Sequence, residues 1–457
     1  MSLIPAALSE FMMPVFSSQT HESLRAQLTL EAMRLGVVPA TDLEHSTVGR
    51  DIEIDIIRQD LGAASVSGGR RAFLGEYGLG KTHLLELIQQ MALKQNFLVS
   101  RVVLDHADHS PAQPKRIYHA VTRSLAYPDD VHGTGGLGPL LDKAVLSPDI
   151  LKKYLVTRDK DIVHLPIREQ LSRGMHLYLT PALAYMQALS NPESLKIPRY
   201  LGDPSVWANT ARHHLLEWIE GHPTRSNQDI NDELNVIRGR FPKIYSLLDC
   251  RPWAKIYGYI LNGIARLARD VGYAGLVVVM DEAEFYSLLS AQNRAYARSL
   301  FQAWSHAAGG DDDLPFTHDE LITGGYGVQR DLPSRYAEDP GLYLVFAMTP
   351  NSDGIHVLQQ AVAPQLICYL NPLSAVDYLK MTEHVVALYA KAYPEADMPE
   401  GIAQPMAEVV TALSQQGTLA TPRQTMKFLT EFLDLVRYCP DKIADVIENL
   451  QTMPDFL

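Results

Sequence analysis

The sequence predicts an α/β fold with a five-stranded parallel sheet, a large helical insertion and an all-helical C-terminal domain. Short apolar runs of strand length alternate with helical periodicity, and the run at 275–280 is apolar throughout, as is typical of a strand buried on both faces of a parallel sheet. About 145 extra residues separate the second and third runs, too many for a simple crossover. From residue 374 onward the apolar pattern is entirely helical.

Each element is predicted from its own apolar spacing. Strands are predicted at 72–74, 97–104, 275–280, 342–348 and 365–370. Helices are predicted at 21–35, 52–61, 83–93, 115–125, 253–270 and 286–307, and inside the insertion at 149–155, 176–189 and 206–219. Residues 1–20 lack periodicity, which is typical of an arm or a poorly ordered tail.

The loop between the first strand and its helix has the spacing G-x-x-x-x-G-K-[ST] of the phosphate-binding P-loop. Its glycines let the backbone N–H groups point inward around a phosphate chain. Lys81 falls in the first helical turn, where a cation is disfavoured unless an anionic phosphate is bound there. Thr82 is placed to ligate Mg²⁺. We therefore predict that a nucleoside triphosphate binds at Gly75, Glu76, Tyr77, Gly78, Leu79, Gly80, Lys81, Thr82 and His83.

Two acidic residues follow the apolar run of the third strand. Asp281 is placed to hold the Mg²⁺ shell, and Glu282 is placed to orient and activate the attacking water. By itself, an apolar run followed by Asp-Glu is weak evidence for a strand end that binds Mg²⁺ and activates water. The evidence is strong when a P-loop lies upstream. Because phosphoryl transfer needs positioning and charge neutralisation more than covalent chemistry, these few residues can suffice.

Two further positions are candidate sensors of the nucleotide. Thr349 follows the fourth strand, where a polar side chain can sense the γ-phosphate; Asn351 is its neighbour, and a turn threonine before Pro350 is the alternative. Arg423 lies in a predicted first helical turn, in which Thr421 is the N-cap and Gln424 completes a capping box. A bound phosphate would explain a cation there, and a surface salt bridge is the alternative.

Composition limits the classes of partner and site. The chain has 457 residues, enough for two to three domains, and a net charge of −13 from 40 basic and 53 acidic residues. This balance argues against coating nucleic acid or an anionic membrane through bulk charge. The three scattered cysteines exclude a disulfide framework, and His106, Asp108 and His109 lack the further ligands of a zinc site. With no signal peptide and no apolar run of membrane-spanning length, we expect a cytoplasmic protein.

The order of these motifs resembles that of AAA+ ATPases of the initiator-like branch. Gly49 and Arg50, in a turn upstream of the P-loop, resemble the adenine-side box of these enzymes, although an ordinary loop before a helix explains them equally well. The resemblance implies four regions: an N-terminal arm and helix, a nucleotide-binding core in two parts, a helical insertion and a helical lid, at 1–47, 48–125 with 272–373, 126–271 and 374–457.

More closely, Gly75-Glu-Tyr-Gly-Leu-Gly-Lys-Thr-His-Leu-Leu-Glu86 and Val279-Met-Asp-Glu-Ala-Glu284 resemble the ATP-binding proteins of bacteriophage-exclusion (BREX) systems. The resemblance extends from about residue 21 to the C-terminus and is least clear in the insertion. It implies an ATP- and Mg²⁺-dependent component of bacterial anti-phage defence, acting with methyltransferase, helicase or nuclease partners and on DNA. A homo-oligomer is a further expectation.

One feature departs from the AAA+ pattern. AAA+ rings usually supply an arginine finger between the fourth and fifth strands, but residues 351–364 contain no Arg or Lys. The substitutes elsewhere in the core are Arg294, Arg298, Arg330 and Arg335. Three functions therefore stay open: an ATP-hydrolysing motor or loader, a non-motor switch that responds to ATP binding, and a DEAD-like helicase. The helical C-terminus argues against the helicase, which would carry a second α/β domain, and Glu282 argues against a pure switch.

Overall fold

The computed structural model describes most of the chain, and its described residues are 18–36, 43, 47–130, 133, 135–155, 166–195, 197–237, 241–317, 321, 331–396 and 398–452. Residues 1–17 of the arm predicted at 1–20 and the arginine-finger candidate Arg330 lie outside them, whereas residues 18–20 belong to the helix Ser18–Arg34, so the prediction was wrong there. The described chain divides into two compact units. One combines residues up to Asp51 with Tyr77–His83 and Asn371 onward, and the other combines Ile52–Glu76 with Leu84–Leu370. The predicted domain boundaries stay a prediction.

The second unit contains a five-stranded sheet whose strands are all parallel and lie in the order β2-β3-β4-β1-β5. The strands are β1 Gly69–Leu74, β2 Phe97–Val103, β3 Gly275–Asp281, β4 Leu342–Met348 and β5 Ile367–Tyr369. The interior strands β3 and β4 are buried along their whole length. This confirms the predicted sheet, including the apolar third strand buried on both faces.

β1 begins three residues before its predicted start because its polar residues are paired. Arg70 is buried and donates hydrogen bonds to the carbonyls of Ser305 and Gly310. Arg71 forms a two-bond ion pair with Asp60, with N–O distances of 2.6 and 2.7 Å. Arginines paired in this way can occupy a buried strand, whereas periodicity alone excludes them.

Helices flank this sheet and form the insertion. Those next to the strands are α2 Asp51–Ala64, α3 Lys81–Lys94, α4 Pro114–Arg123, α11 Ala254–Asp270, α12 Ala291–Gly309 and α13 Ser352–Gln359. The insertion contains α5 Gly138–Val145, α6 Pro148–Tyr154, α7 Ile167–Ser172, α8 Leu179–Leu189, α9 Pro204–Ile219 and α10 Asn227–Glu233. Side chains of the insertion and of the sheet belong to one continuous apolar core, so the insertion packs as part of this unit.

The predicted helix at 286–307 was wrong in its first turn. Residues Ala283–Leu288 form a 3₁₀ helix, and α12 begins only at Ala291. Ser290 is the N-cap of α12, and its hydroxyl accepts a hydrogen bond from the Asn293 N–H. This cap fixes the start of α12, a boundary that apolar spacing does not reveal.

The first unit joins the N-terminal helix α1, Ser18–Arg34, to the C-terminal helices. Those helices are α14 Ala375–Ala392, α15 Ala403–Gln415, α16 Pro422–Tyr438 and α17 Ile443–Thr452. Gln27 donates to the Ala392 carbonyl at 2.8 Å, Arg34 pairs with Asp434 at 2.6 Å, and the helices share an apolar core. Because residues 375–452 contain no strand where they are described, the second α/β domain of a DEAD-like helicase is absent there.

A glycine at the start of β3 is expected to be irreplaceable. Gly275 has φ 151°, and an added Cβ would lie 2.0 Å from the Gly341 carbonyl oxygen. We expect Gly275→Ala to destabilise the protein by about 2–4 kcal/mol, measured as a lower thermal unfolding midpoint. The matched control is Gly62→Ala in α2, where an added Cβ has no neighbour within 4 Å and alanine should stabilise by about 0.5–1 kcal/mol. Equal effects of the two changes would contradict this prediction.

His176 is expected to make the stability of the protein depend on pH. It is fully buried, and its Nδ1 accepts from the N–H groups of Tyr178 and Leu179 at the start of α8, so the ring is neutral. Burial lowers the pKa of His176 to about 3, below the value of about 6.5 in an unfolded chain. Between these values the unfolded state binds more protons, and stability falls with falling pH by up to about 1.4 kcal/mol per pH unit.

Urea unfolding between pH 4.5 and 7.5 measures this dependence. His176→Asn keeps a hydrogen-bond acceptor but cannot titrate, and should reduce the slope of unfolding free energy against pH, to which His83, with its pKa lowered to about 4 by burial and Arg50, still contributes. The exposed His106→Gln is the control and should leave that slope unchanged. A slope unaffected by His176→Asn would refute the assignment.

Candidate functional site

The predicted phosphate-binding loop connects β1 to α3, which begins at Lys81. Gly78 and Gly80 have φ of 85° and 89°, so the loop needs glycine at both positions. Lys81 is buried in the first turn of α3, while the adjacent Thr82 is exposed. Glu76 and Tyr77 are also exposed, and Tyr77 retains 82% of its surface. The loop therefore lies between a strand and a helix, and this is the structural context on which the phosphate-binding prediction depends.

Arg50 holds this loop from the side. Its guanidinium donates to the Leu79 carbonyl at 2.7 Å and to the Asn371 carbonyl at 2.8 Å, and the residue is only 6% exposed. Gly49 before it has φ 68°, and an added Cβ would lie within 2.8 Å of Leu373 and Asp377 side-chain atoms. The predicted adenine-side turn thus fastens the loop to the segment that enters α14.

His83 and the start of α16 lie in the same unit as this loop. The His83 Nε2 is 2.7 Å from the Thr47 hydroxyl, and burial together with the Arg50 charge lowers the pKa of His83 to about 4. An added Cβ on Gly78 would lie 2.1 Å from the Thr421 methyl carbon, so the N-cap of α16 is packed directly on the loop. Only glycine allows this approach.

The first turn of α16 carries Arg423, as predicted. The Thr421 hydroxyl accepts from the Gln424 N–H at 3.2 Å, which confirms the N-cap. The Gln424 side chain instead accepts from the Thr421 hydroxyl, so the predicted capping box is only half formed. Arg423 is exposed, its aliphatic part packs over Gly36, and no carboxylate among the described residues pairs with it. Among the described residues, no salt bridge accounts for Arg423, and its role in sensing nucleotide stays a prediction.

In the other unit, Asp281 ends β3 at the same sheet edge as the ends of β1 and β4. Asp281 is only 3% exposed, and its two carboxylate oxygens have different partners. Oδ1 accepts from the Glu282 N–H at 2.9 Å, and Oδ2 accepts from the Arg101 guanidinium at 2.7 Å. Arg101 lies on β2, and Glu86 of α3 is 3.4 Å from its other terminal nitrogen.

Glu282 has a left-handed backbone, with φ 60° and ψ 36°. This conformation costs a non-glycine residue about 1–3 kcal/mol and is concentrated at functional sites. The hydrogen bond from its N–H to Asp281 holds the turn in place. Glu282 is half-buried. Its left-handed backbone sets the direction in which the side chain leaves the end of β3.

A model of the family described as BREX system ATP-binding protein BrxC/D matches residues 22–308. The chain belongs to this family. The family binds ATP, as the sequence motifs predicted, and serves antiviral defence by bacteriophage exclusion, as the resemblance implied. The match includes the insertion and ends before β4, so it does not extend to the C-terminus as the resemblance did. Among curated proteins, none matches the chain.

The remaining predicted residues of this BREX protein are placed as follows. Thr349 lies directly after β4, half-buried at the same sheet edge as Asp281. Asn351 is the N-cap of α13, where its side chain accepts from the Gly354 N–H at 2.7 Å, so this amide is used in capping. Gly75 is buried, and an added Cβ would lie 3.0 Å from Leu370.

The three arginine-finger candidates that the structure describes differ in how firmly they are held. Arg294 donates to the Leu289 carbonyl at 3.0 Å and pairs with Asp353 at 2.6 Å. Arg335 packs against Gly310 and bonds the Glu338 carbonyl, and burial lowers its pKa. Arg298 is half-buried and has no hydrogen-bonded or ion-paired partner among the described residues. Of these three, Arg298 is the one whose guanidinium forms no hydrogen bond or ion pair with another described residue.

Two kinds of feature are absent from the described residues: a cluster of metal ligands and a membrane-spanning helix. In the described part of the chain, no three His, Cys, Asp or Glu side chains are grouped as a metal site, including those near His106 and His109. No helix among the described residues is long and apolar enough to cross a membrane.

Sequence reasoning missed Arg101, Glu86 and the packing of Thr421 on Gly78. An arginine inside the otherwise apolar run of β2 was a signal for Arg101, because a charge in a buried strand needs a partner. The contact of Thr421 with Gly78 joins positions more than 300 residues apart along the chain and left no local signal.

Proposed function

We propose that this BREX family member is an AAA+ type ATPase that hydrolyses ATP with Mg²⁺ and couples turnover to assembly or remodelling on DNA with partner proteins. The strained Glu282, held beside the buried Asp281 at the edge where β1 leads into the P-loop, carries the proposal. A protein that only binds ATP has no use for a strained carboxylate there. Hydrolysis needs one to orient water.

The P-loop residues are proposed to hold the nucleotide. Lys81 and backbone N–H groups of the loop after Gly75 would bind the β- and γ-phosphates, since the Gly75 N–H itself donates to the Met348 carbonyl. In support, the left-handed glycines open the loop and α3 starts at Lys81 with no acidic residue in its first turn. A phosphate at the start of this helix would be favoured by the helix dipole and by the positive charge of Lys81.

Mg²⁺ is proposed to bind Thr82 and Asp281. The oxygen ligands fit a hard cation, the Thr82 side chain is exposed, and each Asp281 oxygen has a single hydrogen bond that leaves a lone pair. When bound, the ion would neutralise charge on the phosphates. Glu282 would accept the proton of the attacking water, and Thr349 would donate its hydroxyl to the γ-phosphate.

Arg423 and Arg50 are proposed to report the nucleotide state to the helical lid. Arg423 is an exposed cation without a carboxylate partner among the described residues, at the start of a helix whose cap packs on the P-loop. Arg50 bonds both that loop and the entry to α14. Release of the γ-phosphate would remove the anion that Arg423 binds, which makes the lid a two-state element.

The alternative is a non-motor switch whose assembly responds to ATP binding alone. The firm internal pairing of Arg294 and Arg335 favours it, since a motor ring needs a free arginine to reach the neighbouring subunit. Arg298 is our proposed finger if such a ring forms. We also propose, as part of the ATPase function, that the protein acts with methyltransferase, helicase or nuclease partners, that it acts on DNA and that it forms a homo-oligomer.

ATP turnover by the full chain, with and without double-stranded DNA and alongside its mass in solution, tests the proposal. We expect Mg²⁺-dependent turnover that DNA stimulates and a higher mass with ATP. ATP binding that changes the mass without any turnover would establish the switch instead. A chain that neither binds nor hydrolyses ATP would refute both.

A further inference from the structure

Asp281 lies buried at the end of a strand, where a carboxylate is expensive unless a cation pairs with it. Arg101 supplies that cation through a 2.7 Å hydrogen bond to Oδ2. Its side chain is 21% exposed, so water screens the pair only weakly. The chain therefore neutralises its proposed metal ligand with a side chain of its own.

Contacts with two neighbouring elements, β3 and α3, hold Arg101 in place. It projects from β2, the strand next to β3, so its backbone is fixed by the ladder that pairs Arg101 with Val279. Glu86 lies 3.4 Å from its second terminal nitrogen, and Gln89 donates to the same Glu86 oxygen at 3.3 Å. Because Glu86 belongs to the helix that begins at Lys81, the guanidinium connects that helix to the end of β3.

We propose that Arg101 is a positioning residue that keeps free divalent cations off Asp281, so that Mg²⁺ binds this protein only together with a nucleotide. This inference rests on the proposed function of Asp281. A divalent ion that approaches Asp281 alone meets a resident positive charge and is repelled. An ion that arrives with a nucleoside triphosphate brings several negative charges with it, and these offset the repulsion. Arg101 therefore selects the metal–nucleotide complex over the metal.

The same contact fixes the geometry of the carboxylate. With Oδ2 held by Arg101 and Oδ1 by the Glu282 N–H, the Asp281 side chain cannot rotate in the metal-free protein. Arg101 thus presents Asp281 in one orientation before the ion arrives.

Binding of Mn²⁺, a paramagnetic substitute for Mg²⁺, tests the inference by electron paramagnetic resonance on the full chain at pH 8. Without nucleotide, Arg101→Met should bind Mn²⁺ about tenfold or more tightly than wild type, because the competing charge is gone. Arg101→Lys keeps the charge and should remain close to wild type. The additional change Asp281→Asn should abolish the gain. An Arg101→Met protein that is folded but gains no Mn²⁺ affinity would overturn the inference.

The matched control is Arg71→Met, which removes the ion pair between Arg71 of β1 and Asp60 of α2 without touching Asp281. It should leave Mn²⁺ binding unchanged, and a gain equal to that of Arg101→Met would overturn the inference. If Arg101→Met does not fold, Arg101→Gln keeps a donor to Asp281 without the charge, with the same expected gain and the same overturning result.

Binding of Mn²⁺ with ATP separates the inference from the proposed function. Wild type should bind the Mn²⁺–ATP complex, and Asp281→Asn should bind it more weakly. If Asp281→Asn binds this complex as wild type does, the proposed metal site itself fails. If Asp281→Asn weakens binding but Arg101→Met gains nothing without nucleotide, only the role of Arg101 fails.

Discussion

Glu282→Gln is expected to lower ATP turnover by about 10²- to 10³-fold while ATP binding is retained, because glutamine cannot accept the proton of the attacking water. Glutamine has the same size and can occupy the same left-handed backbone, so the fold of the turn should be kept. Single-turnover hydrolysis and equilibrium binding of ATP measure the two effects separately.

The control for this change is Glu284→Gln, two residues further along the same turn. Glu284 is half-buried and lies in the 3₁₀ helix, and its replacement should change turnover by less than about tenfold. The prediction fails if Glu284→Gln abolishes turnover and Glu282→Gln does not, since the catalytic carboxylate would then be the other one.

Lys81→Ala is expected to weaken ATP binding by about a hundredfold or more. The change removes the charge-assisted hydrogen bonds proposed between Lys81 and the phosphates, worth about 1.5–3 kcal/mol each. Lys94→Ala, at the exposed end of the same helix, is the matched control and should bind ATP as wild type does. Fluorescent-nucleotide titration measures both, and thermal unfolding shows whether each variant is folded. Equal affinity in Lys81→Ala and wild type would show that nucleotide binds elsewhere.

Most of the sheet was predictable because each strand is a local apolar run. The continuous run at 275–280 identified a buried central strand, and the glycine-rich spacing at 75–82 identified the loop that follows β1. Strand ends were less predictable: β5 has only three residues because its pairing with β1 covers Ala72–Leu74 alone. Pairing partners set strand length, and sequence spacing does not contain them.

The candidate site was only partly predictable for a related reason. Motif spacing indicated Lys81, Thr82, Asp281 and Glu282, because phosphate and metal chemistry requires those residue types close to a strand end. It could not reveal that Arg101 pairs with Asp281, since that contact joins residues 180 positions apart. The left-handed backbone of Glu282 was equally hidden, because a glutamate favours no such conformation by itself.

The sequence by itself determined the class of fold, the glycine-rich loop after the first strand, the acidic end of the third strand and the helical C-terminus, since all four depend on residues close together in the chain. Only the tertiary structure decided which groups from distant segments contact each other. Arg50 bonds Leu79 and Asn371, Thr421 packs on Gly78, and Arg101 neutralises Asp281. These contacts form because burying a charge or a backbone carbonyl is favourable only when a partner satisfies it, and the fold brings that partner from a distant segment.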